Sequence, residues 1–292
     1  MKFISNTNDI RKYLGLKSKN NIKFNNISID TRTIKKDSLF IALKGENFNG
    51  NKFIEKAFAS GASAVLCSNK AYKNKNNAIY VPSVRDALSK ISSNIASDFQ
   101  GKKILITGSN GKTSTTIILS KSLPKCSSTI RNFNNEIGLP ISIMSAKKDS
   151  KYIVLEAGAA KKGDIEYLSK LVKPDIGIIT NIGNSHLEKL LNLEGVFKVK
   201  SELIKNIRKG GTLIVPNDLR YLERWKKMAK GIKVLTVPNK YIATKEKFSS
   251  DGRIMTFDII EKPLGNKKSV IIPISSSLIG KHNVQNILVC HS

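Results

Sequence analysis

A strand-like run, Ile104-Leu105-Ile106, passes into Thr107-Gly108-Ser109-Asn110-Gly111-Lys112-Thr113-Ser114 and then into a helical pattern. That order of residue types can hold a polyphosphate. Glycines let backbone N–H groups converge on phosphate oxygens, and a following helix start adds the positive end of its dipole. Lys112 would neutralise the outer phosphates, and the Thr113 hydroxyl would ligate magnesium. On this reading Gly108, Ser109, Asn110, Gly111, Lys112, Thr113 and Ser114 bind nucleotide, and ATP with Mg2+ is the expected pair. The spacing departs from the GxxxxGK[ST] pattern, because position 106 is Ile and the first glycine stands three residues before Gly111. The competing reading is a tight strand-to-helix turn with an incidental lysine; the flanking strand and the Gly-Lys-Thr core favour phosphate.

Two further residue types fall at comparable places. Glu156 directly follows the apolar run Ile153-Val154-Leu155, and His186 stands in Asn181-Ile182-Gly183-Asn184-Ser185-His186-Leu187-Glu188, just past a run ending at Thr180. Both are expected over the same edge as the loop, where a carboxylate and a neutral imidazole would complete metal coordination. Magnesium prefers oxygen ligands, so a structural histidine is the alternative at 186. His282, in Gly280-Lys281-His282-Asn283-Val284-Gln285-Asn286, opens a new helix from a polar loop.

The elements that must position these residues form two blocks, with a boundary near residue 100. In the first, Ile27-Ser28-Ile29 alternates like a strand and Leu39 to Leu43 is a short apolar run. Phe53 to Ser60 followed by Gly61 reads as a helix with its C-cap. Ser83 with Asp86 makes a capping-box signature, and Val84, Leu88, Ile91, Ile95 and Phe99 recur at helical spacing. The second block alternates apolar strands (104–106, 153–155, 176–180, 213–215) with helices, one of them near Ile165 to Leu171. This predicts an α/β fold: a small N-terminal α/β domain over 1–100, then a central P-loop domain over 101–292 with a mostly parallel sheet flanked by helices. Such sheets place ligands at the carboxyl ends of their strands. Met255 to Ile260 and Val270 to Ile272 are expected on an antiparallel edge. There is no internal repeat and no long low-complexity linker.

At 292 residues with 40% hydrophobic content, the chain has enough apolar material for two cores. No run approaches the roughly 18 apolar residues of a membrane helix, and the start lacks a signal-peptide apolar block. A cytoplasmic protein without membrane insertion is expected. Cys67, Cys126 and Cys290 lack metal-ligand spacing and read as reduced, packed thiols. Lys plus Arg number 50 against 22 Asp plus Glu, a net charge of +28 that would attract any polyanion. The lysines come as scattered pairs, such as Lys35-Lys36, Lys102-Lys103 and Lys226-Lys227, rather than as one aromatic-interleaved face. Solvated surface is the simpler reading, and no nucleic-acid partner is expected; a basic nucleic-acid-binding ATPase stays as a rival.

The set Thr107 to Thr113, Asn184-Ser185-His186-Leu187, Lys198-Val199-Lys200-Ser201-Glu202 and His282 to Asn286 resembles the Mur ligase family, ATP-dependent enzymes that build the peptidoglycan peptide. Asn132-Phe133-Asn134-Asn135-Glu136-Ile137-Gly138-Leu139-Pro140 and Asp30-Thr31-Arg32 with Phe40 to Glu46 look most like the member joining D-alanyl-D-alanine to UDP-N-acetylmuramoyl tripeptide. The preceding ligase, which adds the third amino acid, is the nearest alternative.

The resemblance implies roles residue by residue. Lys112 and the loop amides hold ATP phosphates; Thr113 and Glu156 hold one Mg2+; His186 with a carbamylated Lys200 holds a second. Asn283 faces the adenine, Thr31, Arg32 and Asn51 approach the uridine diphosphate, and Asn134 and Asn135 lie nearer the peptide. Lys112, Lys200 and His186 are thereby the expected catalytic residues, in a monomer. A carbamate also makes physical sense, because a lysine partly buried beside Val196, Val199, Leu203 and Ile204 loses proton affinity and its neutral amine captures carbon dioxide. The implied reaction transfers the ATP γ-phosphoryl group to the tripeptide carboxylate, and the dipeptide amine then attacks the acyl phosphate. Family members continue past the His282–Asn286 segment into a third, Rossmann-like domain, whereas this sequence stops at Ser292. A fragment or truncated product is therefore expected, with weak nucleotide binding and little ligation by itself. A catalytically idle nucleotide-binding scaffold is the second rival.

Overall fold

The computed structural model describes residues 2–46, 48–183, 192–238, 241–251, 253–261, 270–277 and 281–291. It separates into two compact units. The first comprises Met1–Gln100 with Glu136–Ser150, and the second Gly101–Asn135 with Lys151–Ser292.

In the first unit, β1 (Asn26–Ser28), β2 (Ser38–Ile41), β3 (Ala62–Cys67) and β4 (Ala78–Tyr80) form a parallel sheet in sequence order. Every residue of β2 is buried, as the apolar run from Leu39 suggests for a strand covered on both faces. α1 (Thr7–Leu14) starts on Asn6, whose side chain accepts the Asp9 N–H, and ends at Gly15 in the left-handed region. The short α2 (Ile54–Ala59) packs Ile54 and Ala57 onto Phe40, Val65 and Cys67. α3 (Val84–Asp98) begins as its sequence indicates, with Ser83 Oγ accepting the Asp86 N–H at 3.2 Å, and buries Leu88, Ile91 and Ile95 completely.

Residues 136–150 lie on the far side of a single boundary at 100, yet they pack with the first unit. The reason is composition: all of α5 (Gly138–Met144) is buried, and it packs on α3. A helix apolar on every side has to be enclosed.

In the second unit six strands run parallel in the order β10-β9-β8-β5-β7-β6. They are β5 (Lys102–Thr107), β6 (Cys126–Ser128), β7 (Tyr152–Glu156), β8 (Ile176–Ile179), β9 (Thr212–Pro216) and β10 (Lys233–Val237). The central β5 sets Ile104 against Val154 of β7 on one side and Ile176 of β8 on the other. Connecting helices are α4 (Lys112–Ser122), α6 (Asp164–Val172), α7 (Leu193–Ser201, continued by a 3-10 turn over Glu202–Asn206) and α8 (Leu222–Met228).

The expected antiparallel edge is instead a separate three-stranded sheet, β11 (Tyr241–Phe248), β12 (Met255–Glu261) and β13 (Val270–Ser276). Period-two alternation explains why it stands apart. Met255, Phe257 and Ile259 point one way into the core of the parallel sheet, where they meet Ile104, Ile106 and Ile178. α9 (Lys281–His291) adds Val284, Leu288 and Val289 to the same core and packs on α4. The three cysteines are free thiols, and burial pushes Cys290 up to about 12. No described helix is long and apolar enough to cross a membrane.

Trp225, fully buried, anchors α8 to α7. Its ring lies 5.6 Å from Phe197 and 5.7 Å from Tyr221, and its Nε1 donates to Ser201 Oγ at 2.9 Å. Trp225→Ala is expected to lower stability by about 3–5 kcal/mol, through the cavity and the unpaired serine hydroxyl. Urea unfolding followed by far-UV circular dichroism checks this; the substitution removes the chain's single tryptophan and with it the fluorescence probe.

Candidate nucleotide and metal site

The carboxyl ends of β5, β7 and β8 meet at one edge of the parallel sheet, and each delivers polar groups there. β5 ends at Thr107, whose hydroxyl donates to Ala157 O at 2.9 Å while Thr180 N–H donates to Thr107 O. This closeness leaves no room for a side chain at the next position. A Cβ on Gly108, already at φ +145°, would stand 2.0 Å from Thr180 Oγ1. A Cβ on Gly111, at φ +81°, would stand 2.4 Å from Asn286 Oδ1 of α9. At Gly108 crowding, including the backbone N of Thr180 and Asn181 at 3.1 Å, adds to the demand of backbone conformation, whereas at Gly111 the backbone conformation makes the demand and the Asn286 side chain could shift.

The end of β8 clasps the loop. Ser109 Oγ donates to Gly183 O at 2.8 Å and accepts Gly183 N–H at 3.0 Å, and Asn181 Oδ1 accepts Asn110 N–H at 2.9 Å. Lys112 opens α4 and folds back over the loop, its Nζ donating to Gly108 O at 2.9 Å and Ser109 O at 3.1 Å. Burial holds its ammonium below the usual lysine range, opposed by the Glu156 charge.

Glu156, 2% exposed, ends β7 beside the loop. Its Oε2 accepts the Thr113 hydroxyl at 2.8 Å, its Oε1 accepts the Asn134 side-chain amide at 2.8 Å, and its N–H donates to Thr129 Oγ1 at 2.7 Å. Asn134, expected nearer the peptide substrate, thus spends its amide on this carboxylate, and its backbone O accepts the Gly158 N–H. Asn135, the next residue, is exposed.

Lys200 is 1% exposed at the end of α7, and among the described residues it forms no ion pair. Its pKa is lowered to about 8, first by burial and then by the charge of Lys112, with Asp164 and Glu202 opposing. A buried amine near neutrality of this kind suits capture of carbon dioxide. The Thr113–Glu156 pair suits Mg2+, which is commonly held by one or two protein oxygens, with waters and phosphates completing its shell. His186 lies outside the described residues, as does the side chain of His282.

A cleft of about 650 Å³ adjoins the loop, lined by Asn110, Gly111, Ser114, Thr180, Asn181, Pro216, Val237, Gln285, Asn286 and Val289. Asn283, expected at the adenine, is 6% exposed and accepts the Asn286 side-chain amide at 3.0 Å. Gln285, Asn286 and Val289 are the described residues of α9 that line the cleft, the first two with polar side chains. Sequence reading missed those two, although they stand in the same His282–Asn286 segment.

Within the first unit, Thr31 and Arg32 line a separate pocket of about 400 Å³ with Asp30, Phe40, Phe48, Phe53 and Lys56. Asp30 caps the short turn over Thr31–Thr33 and pairs with Arg32, whose guanidinium holds the carboxyl down at about 2. Phe48 and Phe53 stack with centroids 5.4 Å apart. Asn51 does not line this pocket: its side chain bonds Asn49 Oδ1, Ser68 Oγ and Ser68 N–H.

A glycine-containing loop after the central strand of a parallel sheet, beside a buried carboxylate, finds its counterpart in a known family. Residues 106–292 match the Mur ligase middle domain and residues 23–95 the Mur ligase family catalytic domain. The chain belongs to the Mur ligase family. It is 35% identical to the UDP-N-acetylmuramoyl-tripeptide–D-alanyl-D-alanine ligase of Buchnera aphidicola subsp. Baizongia pistaciae, over 99% of this chain and 63% of that protein. Among solved structures it resembles MurF from Acinetobacter baumannii, with a TM-score of 0.80 and 26% identity over 97% of this chain and 62% of that one. It also resembles MurF ligase from Thermotoga maritima in complex with ADP, with a TM-score of 0.74 and 25% identity over 91% and 61% of the two chains. The chain thus spans less than two thirds of the length of these relatives.

Two outcomes follow. Gly108→Ala is expected to abolish ADP binding in calorimetry, whereas Gly163→Ala, at φ +91° with nothing within 4 Å of its Cβ, retains it. In CO2-free buffer, replacing Lys200 by Met is expected to stabilise the chain, and the gain shrinks as pH rises. Between about 8 and 10.5 the unfolded chain holds a proton on Lys200 that the folded chain has lost, so wild-type stability climbs through that window, by on the order of 3 kcal/mol. Urea unfolding of both proteins at pH 7.5 and 10 measures the difference.

Proposed function

We propose that this chain forms the UDP-substrate-binding and ATP-binding parts of a ligase that joins D-alanyl-D-alanine to UDP-N-acetylmuramoyl tripeptide. The observation that carries this reading is the meeting at one sheet edge of the loop with Lys112 and the Thr113–Glu156 pair, with the buried amine of Lys200 near enough to feel the Lys112 charge. That set suits phosphoryl transfer to a carboxylate, where catalysis is chiefly positioning and charge stabilisation. The names of the relatives and the Asn132 to Pro140 motif support this step of the pathway over the preceding ligase. The same proposal takes the protein to be cytoplasmic and monomeric.

In the reaction, the loop amides and the Lys112 ammonium hold the β- and γ-phosphates of ATP while the tripeptide carboxylate attacks the γ-phosphorus. Lys112 needs only to swing from the carbonyls of Gly108 and Ser109 toward phosphate oxygens, and its partial burial strengthens that attraction. Thr113, Glu156 and, as a carbamate, Lys200 with His186 would hold Mg2+, which supplies neutralisation of the phosphate charge. Asn134 keeps Glu156 oriented by occupying its other oxygen. The amine of D-alanyl-D-alanine then attacks the acyl phosphate, and collapse gives amide and inorganic phosphate. Asp30 and Arg32, with the Phe48–Phe53 stack, offer the first unit's pocket a fixed charge pair and an aromatic wall for the uridine diphosphate end.

Calorimetry of UDP-N-acetylmuramoyl tripeptide, the dipeptide precursor and a random oligonucleotide at one ionic strength tests the assignment. The tripeptide is expected to bind at least tenfold more tightly than the dipeptide. Preference for the dipeptide moves the chain to the preceding ligase, and salt-sensitive binding of the oligonucleotide alone hands the +28 charge the leading role.

A further inference from the structure

Glu202 stands two residues beyond Lys200, in the turn that ends α7, and is 6% exposed. Its carboxylate is aimed at the start of α6. Oε1 accepts the Gly163 N–H at 2.8 Å and Oε2 accepts the Glu166 N–H at 3.1 Å. These are the N-cap and third-position donors of that helix, the two that a capping box satisfies from within its own sequence. α6 cannot do so, because its N-cap is Gly163, which has no side chain to offer. Glu202 supplies both acceptors from another element, and its negative charge complements the positive end of the helix dipole.

The neighbouring contacts hold the same turn in place. Asn206 donates to Glu166 O at 3.2 Å and to Ser169 Oγ at 2.9 Å, while the exposed Lys205 pairs with Glu166 at 2.7 Å. On the opposite side Trp225 Nε1 holds Ser201. The backbone that carries Lys200 is thus fastened from two directions, and the fastening toward α6 runs through one buried carboxylate. Asp164, the first residue of α6, adds its charge to the surroundings of the Lys200 amine, so the docking also brings that carboxylate into range.

We propose that Glu202 is a positioning residue: by serving as the missing cap of α6, it fixes where the buried amine of Lys200 sits, and hence where a carbamate on that amine would form. The inference rests on the reading of Lys200 as a carbamylation site. Glutamine at 202 would turn an amide N–H toward one of the two N–H donors, and aspartate would fall a methylene short of the helix.

13C NMR of the 292-residue chain in [13C]bicarbonate reads this directly. The wild type is expected to give a carbamate resonance that Lys200→Met abolishes and Glu202→Gln reduces at least fivefold at the same bicarbonate concentration. Lys205→Ala, which removes the exposed ion pair of the same turn, is expected to keep full intensity. So is Leu171→Ala, which destabilises α6 without touching its cap. Circular dichroism establishes that each variant is folded; should Glu202→Gln fail to fold, Glu202→Asp is read in its place. Intensity within twofold of wild type in the folded Glu202 variant overturns the proposal, as does an equal loss in Leu171→Ala. No resonance in the wild type overturns the carbamate reading itself and the proposal with it, a pattern distinct from the other two.

Discussion

A buried carboxylate must be satisfied wherever it lies, and at Glu156 that requirement organises the nucleotide edge of the sheet. The charge is 2% exposed, so each oxygen needs a donor. Thr113 comes from the first turn of the helix after the phosphate loop, and Asn134 from the segment that follows β6. Thr129 secures the backbone of the same residue. The side chain of Glu156 therefore ties two other stretches of chain to the end of β7, and its backbone N–H adds a third bond. Any ligand that recruits the Thr113 hydroxyl must do so within a network already formed, which favours rigid preorganisation over local rearrangement.

Much of this edge was legible in the sequence, for a simple reason. A parallel strand buried on both faces is a short apolar run, and the residue after its last apolar position lies at the carboxyl edge. Glu156 and the loop from Gly108 both follow such runs, so their shared edge could be read from one dimension. What could not be read depended on partners far along the chain. Asn51 turned out to brace Asn49 and Ser68, and Asn134 to brace Glu156, because an amide side chain advertises hydrogen bonding without naming its partner. Asn283 and Asn286 lie three residues apart on one helix face, which predicts that they touch but not which of them reaches the cleft. Glu202 stood in the Lys198–Glu202 motif, but nothing local named its partners, which lie 39 and 36 residues away.

The net charge of +28 finds an ordinary setting in the structure. Most ion pairs of the described residues are exposed ones, such as Lys198–Glu194 and Lys226–Glu223, and contribute little to stability. The lysines that bear on the site are the exceptions, Lys112 and Lys200, whose burial rather than number gives them unusual proton affinity. Charge density and chemical reactivity are thus separate properties of this chain.

The placement of α5 bears on how the chain is made. Synthesis proceeds from the N-terminus, and domains generally fold as units when their residues become available. The first unit cannot be completed when residue 100 emerges, because it still lacks residues 136–150, which arrive only after β5, α4 and β6. The second unit waits longer, since Val284, Leu288 and Val289 of α9 complete the core beneath β5. The growing chain therefore carries an unfinished core in each unit at once, and the carboxyl edge of the parallel sheet is among the last parts to gain its full support.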